Sequence, residues 1–312
     1  MVSPPNGTAT LPLDLPIPLW IFLSMESFGA LSGNILLCVL FVTNKKLQTN
    51  QNMFIISLSS SDILVGFTIA PCEYYRVCLH DPSCYPFTLC GFIRVLSVVA
   101  SVVNLLVISL DRYISIQHSF HYKRLITKRR TWFIIIFAWC GAVVLAFPKF
   151  LAWILKADVD EPMIQKALVI YSMVVYGFIL LSGVLLVFFH LTVARTVKTK
   201  MRVDSSRLCG SSVRTDSVRQ RYPRGLKVCV LSCGLFFLCW VPSCVVELLL
   251  YFQGASCSVT TMNILMDGAY FVLLLSPCLN PYLFAFYKTD FQNCLRALCT
   301  RMKAKLPLIT DD

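Results

Sequence analysis

The sequence predicts an all-α membrane protein: a seven-transmembrane helix bundle followed by a short amphipathic C-terminal helix. Three observations carry this reading. The 312 residues are 57% hydrophobic and only 14% charged, against about 45–50% and about 25% in a soluble domain, and mean hydropathy is +0.70. Seven apolar segments are each long enough to cross a bilayer, which takes about 20 residues. Basic residues gather in the short stretches between them.

Residues 1–17 read as an extracellular N-terminus. They lack a basic start followed by an apolar core, so no cleaved signal peptide is expected and the first span is expected to target the chain. Asn6-Gly7-Thr8 is a glycosylation sequon on the side read as outside. The spans follow at about 18–43, 51–77, 87–117, 131–153, 166–197, 224–252 and 260–287. Lys45 and Lys46, then Lys123, Arg124, Lys128, Arg129 and Arg130, then the stretch from Arg195 to Lys227, separate alternate spans. That is the positive-inside pattern of cytosolic loops. It explains the net charge of +12 without nucleic acid. Residues 288–312 form an amphipathic helix and cytoplasmic tail: Phe291, Leu295 and Leu298 fall at helical spacing among basic residues. Cys294 and Cys299 there are candidates for S-acylation or are free thiols. Odd spans place the N-terminus outside and the C-terminus in the cytosol of a plasma-membrane protein. No inverted repeat is visible, which speaks against a transporter.

Of the 15 cysteines, Cys38, Cys140, Cys229, Cys233, Cys239 and Cys244 lie in apolar runs and read as small packing residues. Cys78, Cys84, Cys90 and Cys257 lie near the outer face and are open to pairing, with the partners undetermined.

Ionisable groups inside a bilayer cost several kcal/mol and mark function. Asp62 lies ten residues past Asn52, about 15 Å into the membrane. Asn34, Ser101, Asn104, Ser276 and Asn280 are other deep polar groups, and together they would form a buried site for a cation or proton. Arg94 and Arg112 lie 18 residues apart on the third span, about 27 Å, one toward each face. Glu73, Glu247, Asp267 and Tyr270 join Arg94 at outer ends of spans as candidate ligand contacts. The bland alternatives are an Arg94–Glu73 pair and interfacial aromatic anchors. Pro71, Pro148, Pro242, Pro277 and Pro281 interrupt four spans, and each kink is a place for alternative packing.

Six motifs, one per span, together resemble the rhodopsin-like (class A) G-protein-coupled receptors: Gly33-Asn34, the Leu58–Asp62 run LSSSD, Asp111-Arg112-Tyr113, Trp139, Cys239-Trp240-Val241-Pro242 and Asn280-Pro281. The likeness covers Gly33 to about Cys299. It implies a receptor, not an enzyme, that binds an extracellular small molecule, lipid or short peptide and activates a heterotrimeric G protein. It implies a sodium pocket at Asp62, Ser101, Ser276 and Asn280, with no other cofactor. It implies an activation relay of Phe236, Trp240, Pro242, Asn280, Pro281 and Phe284. At the inner face it implies a switch of Asp111, Arg112, Tyr113 and Phe120, in which Asp111 holds Arg112 at rest.

The departures bear on subfamily. The second outer loop, about Ile154 to Gln165, has no Cys for the family's usual bridge, and the fifth span lacks its usual Pro. Both are shared with melanocortin, cannabinoid and lysophospholipid receptors. FHYKRLITKRR is similar to adenosine and trace-amine receptors. LVGFTIAP leans toward amine receptors, yet Arg94 stands where their amine-binding Asp does. The retinal-lysine position of opsins falls near Leu274. Phe284 replaces a Tyr, Ser119 a common Pro, and no Glu stands near Tyr222 to restrain Arg112 from the sixth span. Either raised basal activity or weak signalling follows. Two other classes remain in view: a receptor-like partner subunit without its own coupling, and an ion- or proton-coupled transporter.

Overall fold

The computed structural model describes residues 17–78, 85–154, 162–207, 230–246, 248–249 and 259–305. Some side chains inside these ranges, residues 71–78 and 85–90 among them, lie outside the described residues. Helix α1 is Ile17–Thr43, followed by a 3-10 turn at Lys45–Leu47. Then come α2 (Asn50–Cys78), α3 (Tyr85–Gln117), the single turn α4 (Tyr122–Leu125), α5 (Lys128–Ile154) and α6 (Pro162–Arg207). Helix α7 is Val230–Val246, α8 is Val259–Tyr287 and α9 is Thr289–Lys305. A helix thus falls on each of the seven apolar segments. In lipid this is the only open-chain solution, because a helix satisfies its own backbone polar groups.

Helices α1, α3, α5 and α6 each carry a stretch long and apolar enough to cross a membrane. The middle of α2 is more polar, because it carries Ser59, Ser60, Ser61 and Asp62. The outward faces are apolar: Phe133, Ile136, Phe137 and Val144 on α5, and Ile170, Val174, Leu181 and Val184 on α6, are all exposed. In water such stripes would drive aggregation; in a bilayer they face acyl chains. Cys140 shares this outward face, so it does not pack inside as expected, whereas Cys239 and Cys244 are buried. Cys229, Cys84 and Cys257, and the side chains of Cys78 and Cys90, lie outside the described residues.

Helix α3 is the centre and packs against α2, α5 and α6, while α1 packs against α2 and α8. The core runs the length of the bundle, from Trp240 and Phe236 on α7 through Val99 and Leu105 on α3 to Phe284 on α8 and Phe291 on α9. Helix α9 turns away from α8 by 87°. It buries Phe291 completely, leaves Leu295 half-buried and exposes Leu298 and Cys299. That is the geometry of a helix lying along a surface rather than crossing it.

Two residues of α1 explain how a kinked helix is tolerated beside it. Pro281 has no N–H, so the Pro277 carbonyl one turn earlier loses its helical donor. The Asn34 amide supplies one, donating to Pro277 O at 3.0 Å and to Ala30 O at 2.8 Å. Gly33 next to it lets the Pro281 ring approach: a Cβ there would lie 2.6 Å from Pro281 Cγ. Overpacking of this kind costs about 1–3 kcal/mol. Gly33→Ala is therefore expected to lower the thermal unfolding midpoint of the detergent-purified protein; an unchanged midpoint would mean that α1 and α8 are not in close register.

Candidate functional site

Asp62 sits at the centre of the bundle with 0% exposure. Its Oδ1 accepts from the Ser101 hydroxyl of α3 at 2.7 Å, and its Oδ2 from the Asn280 amide of α8 at 2.9 Å. Ser61 lies 3.1 Å from Ser101, hydroxyl to hydroxyl. Three helices are thereby tied through one carboxylate, and both ties use neutral donors. Ser276 is buried one turn before Asn280 on α8, and the two bonds to Asp62 come from Ser101 and Asn280. Asn104 on α3 is buried too; its amide donates to Ala100 O, and its Oδ1 has no partner.

Outward of this node, the Phe236 and Trp240 rings of α7 stack at 5.9 Å with 21° between planes, and both are buried. The Phe236 edge lies against Gly183 on α6, where a Cβ would meet it at 3.0 Å. A small residue on the fifth span thus makes room for a bulky one on the sixth. Phe284 and Pro281 are buried on α8, and Pro242 is half-buried on α7. The relay residues therefore line the core on α7 and α8.

At the inner end of α3 the arrangement differs from the expected direct Asp111–Arg112 hold. Asp111 Oδ1 accepts from the Tyr122 hydroxyl at 2.7 Å, because the α4 turn folds back under α3. Arg112 instead donates to Gln51 Oε1 on α2 at 3.2 Å, and acts on Asp111 as a nearby charge. Gln51 and Arg112 both act on Tyr122 electrostatically, so Asp111, Tyr122, Gln51 and Arg112 form one cluster joined by two hydrogen bonds, Tyr122 to Asp111 and Arg112 to Gln51. Burial first, then the bond to Asp111, pushes the Tyr122 hydroxyl above the usual tyrosine value, which keeps it a donor. Tyr113 packs against Phe188 and Phe189 of α6, with centroids 6.3 Å and 5.4 Å away. Phe120 is 99% exposed on the loop below.

Lys288, at the α8–α9 corner, closes this cluster. Its ammonium donates to Asn52 Oδ1 on α2 and lies 5.9 Å from the centre of the Phe291 ring. Sequence reasoning had placed Lys288 in the basic tail, and had not singled out Gln51 or Tyr122. Only their spacing after folding reveals them. Glu26 on α1 was also missed, although a lone acid inside the run MESFGALSGN was the available signal.

The outer candidates are less visible. Arg94 is exposed on α3. Glu247, and the side chains of Glu73, Asp267 and Tyr270, lie outside the described residues, as does Asn6. Cys294 is half-buried and Cys299 exposed on α9, both as free thiols.

Burial, then the Arg112 charge, pulls the Lys288 ammonium from 10.5 down to about 7, against the opposing pull of Asp290 and Asp111. Between these values the unfolded chain binds more protons than the folded one, so stability rises with pH from about 7 toward 10.5. The wild-type unfolding midpoint is expected to climb across this window relative to Lys288→Met. Parallel curves for the two proteins would contradict the burial of the ammonium.

The family model of the 7 transmembrane receptor (rhodopsin family) matches residues 33–284. The chain is 26% identical to Melanopsin of Felis catus over 280 residues, covering 83% of this chain and 56% of that protein. It is 25% identical to Adenosine receptor A2b of Canis lupus familiaris over 316 residues, 90% of each. It is 28% identical to Melatonin receptor type 1B-B of Danio rerio over 275 residues, 84% of this chain and 75% of that one. The chain therefore spans little more than half of the first relative and most of the other two. The matched segment begins at the Gly33-Asn34 pair that seats Pro281 and ends at Phe284, and it contains Asp62 and Arg112. This chain belongs to the rhodopsin family of seven-transmembrane receptors, the class A G-protein-coupled receptors.

Proposed function

We propose that this receptor binds an extracellular small molecule, lipid or short peptide and activates a heterotrimeric G protein by releasing Arg112 from its hydrogen bond to Gln51. The observation that carries this reading is the Arg112–Gln51 bond. A neutral partner holds a guanidinium less firmly than a carboxylate does. The restraint is therefore shallow, and no acid from α7 is needed for it. Exposed Phe120 on the following loop provides an apolar contact for the G protein.

The same reading assigns sodium to Asp62. A buried carboxylate with only neutral donors lacks a counter-charge, and Ser101, Ser276 and Asn280 add the hard oxygens a hard cation takes. Sodium there would supply that charge and favour the bonded arrangement of α2, α3 and α8. Arg94, Glu73, Glu247, Asp267 and Tyr270 form the outer ligand region in this reading. Arg94 favours a carboxylate or phosphate group. The basic segments place α4 and α9 in the cytosol and the N-terminus outside, in the plasma membrane. Asn6 then carries glycan, and Cys294 and Cys299 are available for acylation at the inner leaflet.

The test is nucleotide exchange on a panel of Gα subunits, at matched surface expression. Gln51→Ala and Tyr122→Phe are expected to raise basal exchange several-fold, and Arg112→Ala to abolish it. Basal exchange equal to wild type in both Gln51→Ala and Tyr122→Phe would remove this cluster from the switch.

A further inference from the structure

Glu26 lies on α1 eight residues before Asn34, about 12 Å further outward. It is 4% exposed, and both carboxylate oxygens are buried without a hydrogen-bond partner. The neighbouring Ser27 hydroxyl and the Trp240 Nε1 are also buried without partners. The Cys278 thiol of α8 donates to the Glu26 backbone carbonyl at 3.1 Å, which fixes α8 against this turn of α1. Glu26, Asp62 and Cys239 of α7 all act electrostatically on that thiol, and Glu26 acts on Cys239 as well. The carboxylate thus belongs to the junction of α1, α7 and α8. One turn outward, the Phe22 and Phe271 rings meet edge-on at 5.6 Å, beside Leu23, Val65 and Leu274.

An ionised carboxylate so placed is costly unless a positive charge reaches it. The groups named around it are two thiols and apolar side chains. Protonation alone leaves the same two oxygens unpartnered. We propose that Glu26 anchors a site, separate from Asp62, for a monovalent cation: a sodium ion or the ammonium of a small amine. The oxygens take the charge in either case. An amine would in addition set its apolar body against the Phe22–Phe271 roof, where the ring faces attract cations. The inference depends neither on G-protein coupling nor on sodium at Asp62.

The test is thermal unfolding of the full-length, detergent-purified receptor at constant ionic strength. The probes are sodium chloride, substituted for N-methyl-D-glucamine chloride, and separately 2-phenylethylamine. At least one probe is expected to raise the wild-type midpoint by about 3 °C or more. In the D62N background, which removes any sodium held at Asp62, that rise persists; it disappears in D62N/E26Q and is reduced but present in D62N with Glu26→Asp, whose charge is kept. A rise with sodium alone identifies the inorganic ion; a rise with the amine identifies an organic ligand. The proposal is overturned if neither probe stabilises D62N, or if D62N/E26Q keeps the full rise seen in D62N. It is equally overturned if E26Q is more stable by the same amount in every buffer, since Glu26 is then only a buried neutral acid. Should E26Q not fold, Glu26→Asp with an undiminished rise is contrary evidence.

Discussion

The Asp62 carboxylate, tied to Ser101 of α3 and Asn280 of α8, is the constraint around which the bundle is arranged. A charge-bearing group at this depth demands satisfied oxygens, and two neighbouring helices must stay close enough to donate. Asn280 stands beside the Pro281 kink, and the cost of that kink is carried by α1: Asn34 caps the freed Pro277 carbonyl and Gly33 receives the ring. Four helices, α1, α2, α3 and α8, are therefore joined by side-chain bonds as well as by apolar packing. Apolar packing provides little preference between partners in lipid, where every alternative contact is equally greasy.

The inner end is built differently. Its charged groups Asp111 and Arg112 are each hydrogen-bonded to a neutral one, Tyr122 and Gln51. Lys288 adds a second cation beside Arg112, held to Asn52 and facing Asp111 and Asp290. The two positive groups repel, and each is attached to α2 by a single amide oxygen. A cluster of this kind favours one arrangement by a modest margin, as a two-state element requires. Phe236 against Gly183 adds a packing counterpart on the opposite side, where a ring has room on α6 because no side chain occupies it.

Much of this was legible from residues alone. The seven helices follow from hydropathy and length. Depth in the membrane grouped Asn34, Ser101, Asn104, Ser276 and Asn280 with Asp62; of these Ser101 and Asn280 bond to it, while Asn34 and Asn104 donate to backbone carbonyls instead. The hold on Arg112 is expected from Asp111; in the structure the two interact as neighbouring charges and the hydrogen bond goes to Gln51. Gln51, which accepts from Arg112, lies 61 residues away at a helix start, and Tyr122, which donates to Asp111, lies 11 residues on in a loop turn. Both positions read as ordinary interface residues in a one-dimensional pattern. Lys288 hid in a basic run whose bulk does face solvent. Glu26 stood out chemically but matched no motif, and its unpartnered state is visible only in three dimensions. Cys140 shows the converse error: an apolar run does not say which face looks inward.

The central claim is that the Asp62–Asn280 bond, rather than the identity of either residue, holds α2 to α8. Exchanging the two residues tests it directly. Asp62→Asn and Asn280→Asp each leave a mismatched pair and are expected to lower the thermal unfolding midpoint. The double exchange restores an amide–carboxylate bond and should recover most of the loss, a coupling of about 0.5–3 kcal/mol for residues in contact. A double mutant no more stable than the sum of its two losses would contradict the account.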